Sequence, residues 1–380
     1  MNDRTAPRRV DPWIVAATAA LLAVGLANLR AYEAFAPVHA YAFVARQLAW
    51  IVLGLGAAAL TYGLARRDAH RSLPWAFAVG VGAVALCLLG FHAPMRGVRR
   101  WIRLGPVIAQ PSELLKLGVA AALARWFGDA PLGTHSWGRA VVGVVAIVSV
   151  PVAMVAAQPD LGSAALLVAI ALATLLVTPR AGRAMALVAA STALPLALLP
   201  QLLLRPYQMA RLRAFLDPAR YADVSWQATQ ARTALEAGRW FGAERSHLAA
   251  SHLPDAHTDF AMVLWANLHG LAGLALALAA YATLVGRTLA VARRATDRYD
   301  LAVVTGVGAM LLAQVTMNGA MALGLAPVVG VSAPLVSYGG SNLVVTLAAI
   351  GVVLGVRARL DAAPMGPAAP GPERIYRGAA

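Results

Sequence analysis

The stretch LGSAALLVAIALATLLVT, residues 161–178, holds no ionisable side chain and no proline. About 20 such residues, coiled as a helix, cross the hydrocarbon of a bilayer. A helix is also the form that satisfies every backbone polar group without water. Asp160 bounds the stretch on one side, and Arg180 and Arg183 lie beyond it on the other. Working outward, nine more segments read the same way, near 12–30, 47–65, 73–91, 112–127, 140–157, 182–204, 259–285, 301–323 and 342–357. Their Leu, Ala, Val and Gly suit close helix packing in lipid. The expected fold is all-α: a polytopic membrane protein with about ten transmembrane helices and both ends on one side. A single integral membrane domain is expected over 1–360, with a large extracytoplasmic loop at 205–258 between spans 7 and 8. A flexible cytoplasmic tail rich in Pro, Ala and Gly is expected at 361–380.

Composition excludes the other classes. The chain is 60% hydrophobic and only 13% charged, against about 25% charged in soluble domains. Its mean hydropathy is +0.66. The single cysteine, Cys87, allows neither an intramolecular disulfide nor a cysteine metal site. Arg4, Arg8 and Arg9 precede an apolar run from Trp13 to Leu29. This reads as an uncleaved first span, because more spans follow and no small-residue cleavage site stands out.

The net charge is +15, and Lys116 is the only lysine. The basic residues are scattered over short loops, which argues against a nucleic-acid surface. With the N-terminus cytoplasmic, inside loops hold Arg66, Arg67, Arg71, Arg180, Arg183, Arg287, Arg293, Arg294 and Arg298, and the tail adds Arg357, Arg359, Arg374 and Arg377. This is the positive-inside bias of the cytoplasmic membrane. Two outside loops depart from it. One holds Arg96, Arg99, Arg100 and Arg103; the other holds Arg205, Arg211, Arg213, Arg220, Arg232, Arg239 and Arg245. These either face an anionic ligand or pair with Asp217, Asp223, Glu236 and Glu244.

Ionisable groups in apolar surroundings tend to be functional. Glu113 and Lys116, three apart, share one helix face at the start of span 4 and form either a structural pair or the edge of an anion-binding cavity. Asp160 stands at a tight outside corner and either caps the next helix or serves a ligand. Asp259, at the start of span 8, either caps a helix or acts as a general base in a partly desolvated setting. His247, His252 and His257 are spaced by five, which matches no familiar metal motif. Residues 324–341 are uncharged but broken by Pro327, Pro334, Gly339 and Gly340. A broken apolar stretch of this kind is expected to be re-entrant or interfacial.

Five blocks in order then resemble the SEDS family (shape, elongation, division and sporulation), whose members are of the RodA, FtsW and SpoVE type. They are Gly97-Val98-Arg99-Arg100-Trp101-Ile102 with Gln110-Pro111-Ser112-Glu113-Leu114-Leu115-Lys116; Gln158-Pro159-Asp160-Leu161-Gly162; Tyr207-Gln208, Arg211-Leu212 and Phe215-Leu216-Asp217-Pro218; Leu253-Pro254-Asp255-Ala256-His257-Thr258-Asp259-Phe260; and Asn318-Gly319-Ala320-Met321 with Pro327-Val328-Val329-Gly330 and Ser337-Tyr338-Gly339-Gly340-Ser341. The resemblance implies a peptidoglycan glycosyltransferase that polymerises lipid II at the outer face of the cytoplasmic membrane, in cell-shape or division wall synthesis. It implies a class B penicillin-binding protein as partner. It implies Asp259 as the catalytic residue and Trp101, Arg99, Arg100, Lys116, Glu113, Arg211, Asp160 and Tyr338 as substrate-binding residues, with Arg103 and Arg213 as further candidates. No cofactor is evident, and the chemistry leaves room for a divalent cation. The alternatives are a lipid-linked precursor flippase or transporter and a lipid-linked glycan ligase. The sequence departs from the family pattern at Asn267, Leu268 and His269, where paired acids are common, at Asp255, where Glu is usual, and over Gly238 to Arg245.

Overall fold

The structure is a computed structural model, and it describes residues 10–35, 42–93, 99–105, 107–128, 136–178, 181–198, 204–243 and 253–362. Arg4, Arg8, Arg9, Arg96, Arg180, Glu244, Arg245, His247, His252, Arg374 and Arg377 lie outside them, as does the tail beyond Ala362.

All ten apolar segments form helices within their described residues. They form α1 (Pro12–Phe35), α2 (Phe43–Arg66), α3 (Pro74–Leu88), α4 (Pro111–Leu123), α5 (Trp137–Val144) continuing through a π-helical turn into α6 (Val150–Ala157), α7 (Leu161–Leu176) and α8 (Gly182–Leu198). The large loop is not plain coil, because it folds into α9 (Pro206–Leu216) and α10 (Ala222–Gly238). Then come α11 (Ala261–Arg294), α12 (Arg298–Ala322) and α13 (Gly340–Ala362). Pro74, Pro111 and Pro206 each open a helix, where the missing N–H costs nothing. Among the described residues, seven helical stretches have the length and apolarity to cross a membrane. α7 is shorter, and α4 carries Glu113, Lys116 and, in the turn that extends it, Arg125.

The helices run between two faces. At one face, Asp11 pairs with Arg287 at 2.6 Å, Arg71 with Asp297 at 2.6 Å and Arg294 with Asp361 at 2.7 Å. His70 meets Asp300 at 2.7 Å, and Arg359 reaches both Asp68 and Asp300. At the other face, here the site face, Asn28 donates to the Ala261 carbonyl at 2.7 Å and the Gln110 amide donates to Ser341 Oγ at 2.9 Å. A short antiparallel hairpin, β1 (Ile102–Leu104) with β2 (Val107–Ala109), lies there too, pairing Arg103 with Ile108.

α2 and α13 run parallel in close contact. A Cβ at Gly351 would stand 2.3 Å from the Ala58 carbonyl oxygen, so only glycine allows this approach. Thr61 Oγ1 uses the same proximity to donate to the Ala348 carbonyl at 2.7 Å. Small residues and hydroxyls are what hold helices together where lipid is as apolar as the side chains. The heart of the core, around Tyr299, Val303, Val307 and Leu311 of α12 and Val352, Val353 and Val356 of α13, is fully buried.

Residues 327–333 between α12 and α13 form no regular element, as the prolines and glycines require. Val331, Ala333, Leu335 and Val336 are nonetheless buried. The broken segment is therefore packed inside protein, the setting in which irregular backbone is tolerated at membrane depth.

Candidate functional site

The broken segment is the hub of the site face. Asn318, buried in α12, donates through one amide nitrogen to the Asp259 carbonyl at 2.7 Å and to the Val331 carbonyl at 2.8 Å. Ser337 Oγ donates to the Thr258 carbonyl at 2.6 Å and accepts from the Ala333 amide at 2.9 Å. The Tyr338 amide donates to the His257 carbonyl at 2.8 Å. Three ties thus fix the 257–259 backbone onto residues 331–338. Gly330 has φ of +75°, and a Cβ there would lie 3.3 Å from Asp259 Oδ2. The carboxylate of Asp259 therefore rests against the bare backbone of Gly330. Asp259 is half-buried, and it precedes Phe260, the residue that caps α11.

Two neighbouring elements reach the same hub. Arg211 of α9 donates to the Val328 carbonyl at 2.9 Å and lies over the Tyr207 ring at 5.8 Å. Arg232 of α10 donates to the Gly324 carbonyl at 3.2 Å. The first turn of α7 closes the other side, where a Cβ on Gly162 would touch Val331 and the Val329 carbonyl.

Asp160 is buried and does two jobs. Its Oδ1 accepts from the Ser163 amide at 3.1 Å, which caps α7, and its Oδ2 accepts from Gln110 Nε2 at 2.9 Å. Arg100 stands 3.8 Å from Asp160 and donates to the Gln158 carbonyl at 3.1 Å and to that of Pro159. Tyr207 Oη donates to the Pro159 carbonyl at 3.0 Å. The corner at 158–160 is thus a knot joining the hairpin loop, α7 and α9.

Glu113 and Lys116 form the pair that their spacing suggests. Lys116 Nζ contacts Glu113 Oε1 at 2.8 Å and Oε2 at 2.7 Å, and both side chains are buried. Asn342 of α13 donates to Glu113 Oε2 and to Gln314 Oε1, each at 2.9 Å. Gln314 and Asn318 lie one turn apart on α12, so one helix face serves both the ion pair and the Asp259 loop. Sequence reading assigned no role to either amide. The available signal was two neutral amides, four apart, within an apolar helix.

The side chains of the remaining candidates make other contacts. Arg99 is exposed and contacts the Leu88 carbonyl at 3.4 Å, while Arg103 and Arg213 are exposed. Trp101 is half-buried, and its carbonyl accepts from the Ala93 amide at 2.7 Å. Tyr338 joins an aromatic cluster, with ring centroids 5.1 Å from Phe43 and 5.9 Å from His257. His257 stacks on Tyr32 at 4.7 Å. Asn267, at a position where acids are common in the family pattern, is fully buried and donates to the Ala234 carbonyl at 2.7 Å, tying α11 to α10.

Among the described residues, the cluster with metal-like spacing is Asp68, His70 and Asp300, on the face opposite the site. Arg359 already bonds both of its carboxylates.

The model of the FtsW, RodA and SpoVE cell cycle proteins matches residues 10–361. A relative from Aromatoleum aromaticum, named a probable peptidoglycan glycosyltransferase FtsW, is 31% identical over 92% of this chain and 88% of its own length. The peptidoglycan glycosyltransferase MrdB of Escherichia coli is 35% identical over 70% of this chain and 72% of its own. Among solved structures, a chain described under structural coordination of polymerization and crosslinking by a peptidoglycan synthase complex superposes with a TM-score of 0.75. It is 30% identical, over 92% of this chain and 97% of that one. The rod shape determining protein RodA of Thermus thermophilus superposes with a TM-score of 0.66 at 27% identity, over 92% of this chain and 96% of its own.

Proposed function

We propose the reaction of this protein from one premise: the chain belongs to the FtsW, RodA and SpoVE family of cell cycle proteins. It is a multi-pass membrane protein and a peptidoglycan glycosyltransferase, the activity for which its relatives are named. Its substrate is lipid II, a disaccharide peptide on a polyprenyl pyrophosphate. In the step, a sugar hydroxyl attacks the anomeric carbon of the lipid-linked sugar. The bond from that carbon to the pyrophosphate oxygen breaks, and the pyrophosphate leaves with the electron pair.

Asp259 takes the hydroxyl proton. A positioned general base contributes about 10²–10⁴-fold. The observation that carries this assignment is the fixation of Asp259: Asn318, Ser337 and Tyr338 pin its loop, and Gly330 leaves its carboxylate room. The leaving group gains charge, which positioned cations stabilise. Arg211 stands at the same segment as Asp259, and its planar fork suits phosphate oxygens. Arg100, Arg99, Arg103 and Arg213 extend the basic lining, and Trp101 and Tyr338 supply ring surface for the sugars. Asp160, Glu113 and Lys116 act beneath them, holding the 158–160 corner and the start of α13. No resident cofactor is invoked, and a divalent cation on the pyrophosphate would share its charge with the arginines.

The membrane is the bacterial cytoplasmic membrane, with the site face outward and both termini cytoplasmic. The arginines of the opposite face support that orientation. A penicillin-binding protein, of class B, supplies crosslinking beside this polymerase. A transporter reading draws less support, because Glu113 and Lys116 are satisfied within the protein.

The test is polymerisation of purified lipid II by the purified protein, with and without the class B partner. Asp259→Asn is expected to abolish product while leaving the thermal transition in place. Full activity of that variant would remove Asp259 from the chemistry.

A further inference from the structure

Trp240 is 69% exposed and Phe241 86% exposed. The backbone beneath them is fixed. Helix α11 breaks at Gly270, where φ is +67° and ψ is −166°. The amides freed by the break are capped from the other chain segment: Leu271 N–H donates to the Arg239 carbonyl at 2.9 Å and Ala272 N–H to the Trp240 carbonyl at 3.1 Å. The Ala243 amide in turn donates to the Asn267 carbonyl at 2.8 Å. A Cβ on Gly270 would stand 2.3 Å from the Trp240 carbonyl carbon, so the turn is locked against the bend.

Two helical rulers give the height of this turn. Both start at the Asp11–Arg287 ion pair. Along α1, Asn28 lies about 26 Å above Asp11, and along α11, Gly270 lies about 26 Å above Arg287, at 1.5 Å per residue. Asn28 bonds the Ala261 carbonyl. Ala261 and Gly270 are therefore level, and residues 261–269 lie across the top of the bundle. Trp265 Nε1 reaches the Gly273 carbonyl at 2.8 Å across the bend, a span of about 12 Å along a straight helix. Hydrocarbon is about 30 Å thick, so with the Asp11–Arg287 pair at its inner edge, Gly270 and the turn bonded to it stand at its outer edge on the site face. Below the turn, Leu271, Leu276 and Leu278 are exposed on the crossing helix. Beside it Arg239 is exposed.

We propose that Trp240 and Phe241 are an interfacial anchor, seated where the acyl chains of the outer leaflet meet the headgroups, with Arg239 toward the phosphates. Aromatic rings are favoured at that depth because one end is apolar and the other wet. The anchor is rigidly joined to α11, whose level first part begins beside Asp259. It therefore sets the height of Asp259 relative to the headgroup layer, where a lipid-linked pyrophosphate lies. The anchor itself is independent of the reaction assigned above; only its effect on turnover rests on that reading.

The experiment places the full protein in nanodiscs whose lipids carry bromines near the top of the acyl chain. Trp240 is one of nine tryptophans, so its emission is read as wild type minus Trp240→Phe. The expected component is blue-shifted, quenched by the brominated lipid and untouched by aqueous acrylamide. Quenching by acrylamide alone would place Trp240 in water, and quenching by neither would place it under protein; each result overturns the anchor. In a second arm, the Trp240→Ser, Phe241→Ser double variant is expected to lose several-fold in lipid II turnover in bilayers and to match wild type in detergent, while Trp240→Tyr holds its rate in both. Unchanged turnover of the double variant in bilayers would overturn the height-setting role. If no form of the protein polymerised lipid II, the quenching result would still decide the anchor.

Discussion

The two faces of the molecule use arginine in opposite ways. At the face opposite the site, Arg71, Arg287, Arg294, Arg357 and Arg359 each bond a carboxylate, on Asp297, Asp11, Asp361 or Asp68 and Asp300. At the site face, Arg99, Arg100, Arg211 and Arg232 donate to backbone carbonyls instead. Arg100 alone among these has an acid nearby, Asp160 at 3.8 Å. On the other face Arg139 bonds the Trp126 carbonyl and Arg183 lies over the Trp137 ring, so the contrast holds for the arginines that reach an acid and not for every one. Among the described residues, no ion pair joins the α9 and α10 arginines to Asp217, Asp223 or Glu236. A carboxylate cancels the guanidinium charge, whereas a carbonyl holds the side chain in place and leaves the charge intact. One face is thus knitted together by ion pairs; the other is held in shape while its guanidinium charges remain attractive to an anion.

The sharpest way to break this contrast lies between the faces, at the buried pair. Lys116→Ala leaves Glu113 buried without its cation, and removing one partner of a buried pair costs about 3–5 kcal/mol. Thermal unfolding of the variant should begin well below that of wild type. Lys116→Ala together with Glu113→Leu should recover much of the loss. A single variant as stable as wild type would mean that water reaches the pair.

Exchanging arginines across the faces should give a smaller, divided effect. Arg211→Gln can keep a bond to the Val328 carbonyl but loses its charge, so lipid II turnover should fall about tenfold, the size of one charged hydrogen bond at about 1.5 kcal/mol, with the melting temperature little changed. Arg359→Gln should do the reverse, lowering the melting temperature and sparing turnover. If both variants shifted the same quantity, the division of labour would be wrong.

The mildest test is acid. Burial disfavours the charged form of Asp11, but the Arg287 guanidinium and the Ile14 and Trp13 amides outweigh it and hold the carboxyl below the usual range. The folded pKa is thus lower than the unfolded value of about 3.9. The stability this contributes is complete above the unfolded pKa and is lost as pH falls through the folded one. Melting temperatures recorded downward from neutral pH should fall more for wild type than for Asp11→Asn once pH drops below about 4. Parallel curves would mean that the pair contributes nothing.

Much of this architecture was legible from local pattern. Ten apolar runs became helices because a chain in lipid has few other ways to satisfy its backbone. Glu113 met Lys116 because three residues is nearly one turn. Asp160 capped α7 because its side chain sits where orphan amides begin. The bend in α11 was different, since the one breaker in Ala266-Asn267-Leu268-His269-Gly270-Leu271 is a lone glycine, which a helix can also carry through. It required carbonyls from residues 239 and 240, some thirty positions earlier in the chain, to cap the amides that the bend exposes. The hairpin at 102–109 and the helices α9 and α10 were likewise hidden within stretches that read only as arginine-bearing outside loops.

The sequence by itself determined that the chain is helical, lies in a membrane and carries surplus positive charge on two loops, because hydropathy and charge are properties of residues. Only the tertiary structure decided which arginines stay charged toward an anion, because that depends on whether the acceptor brought to each guanidinium is a carboxylate or a carbonyl. Only the tertiary structure pinned Asp259 as well, since Asn318, Gly330 and Ser337 act on it through contacts that form when α12 and the broken segment pack against the start of α11.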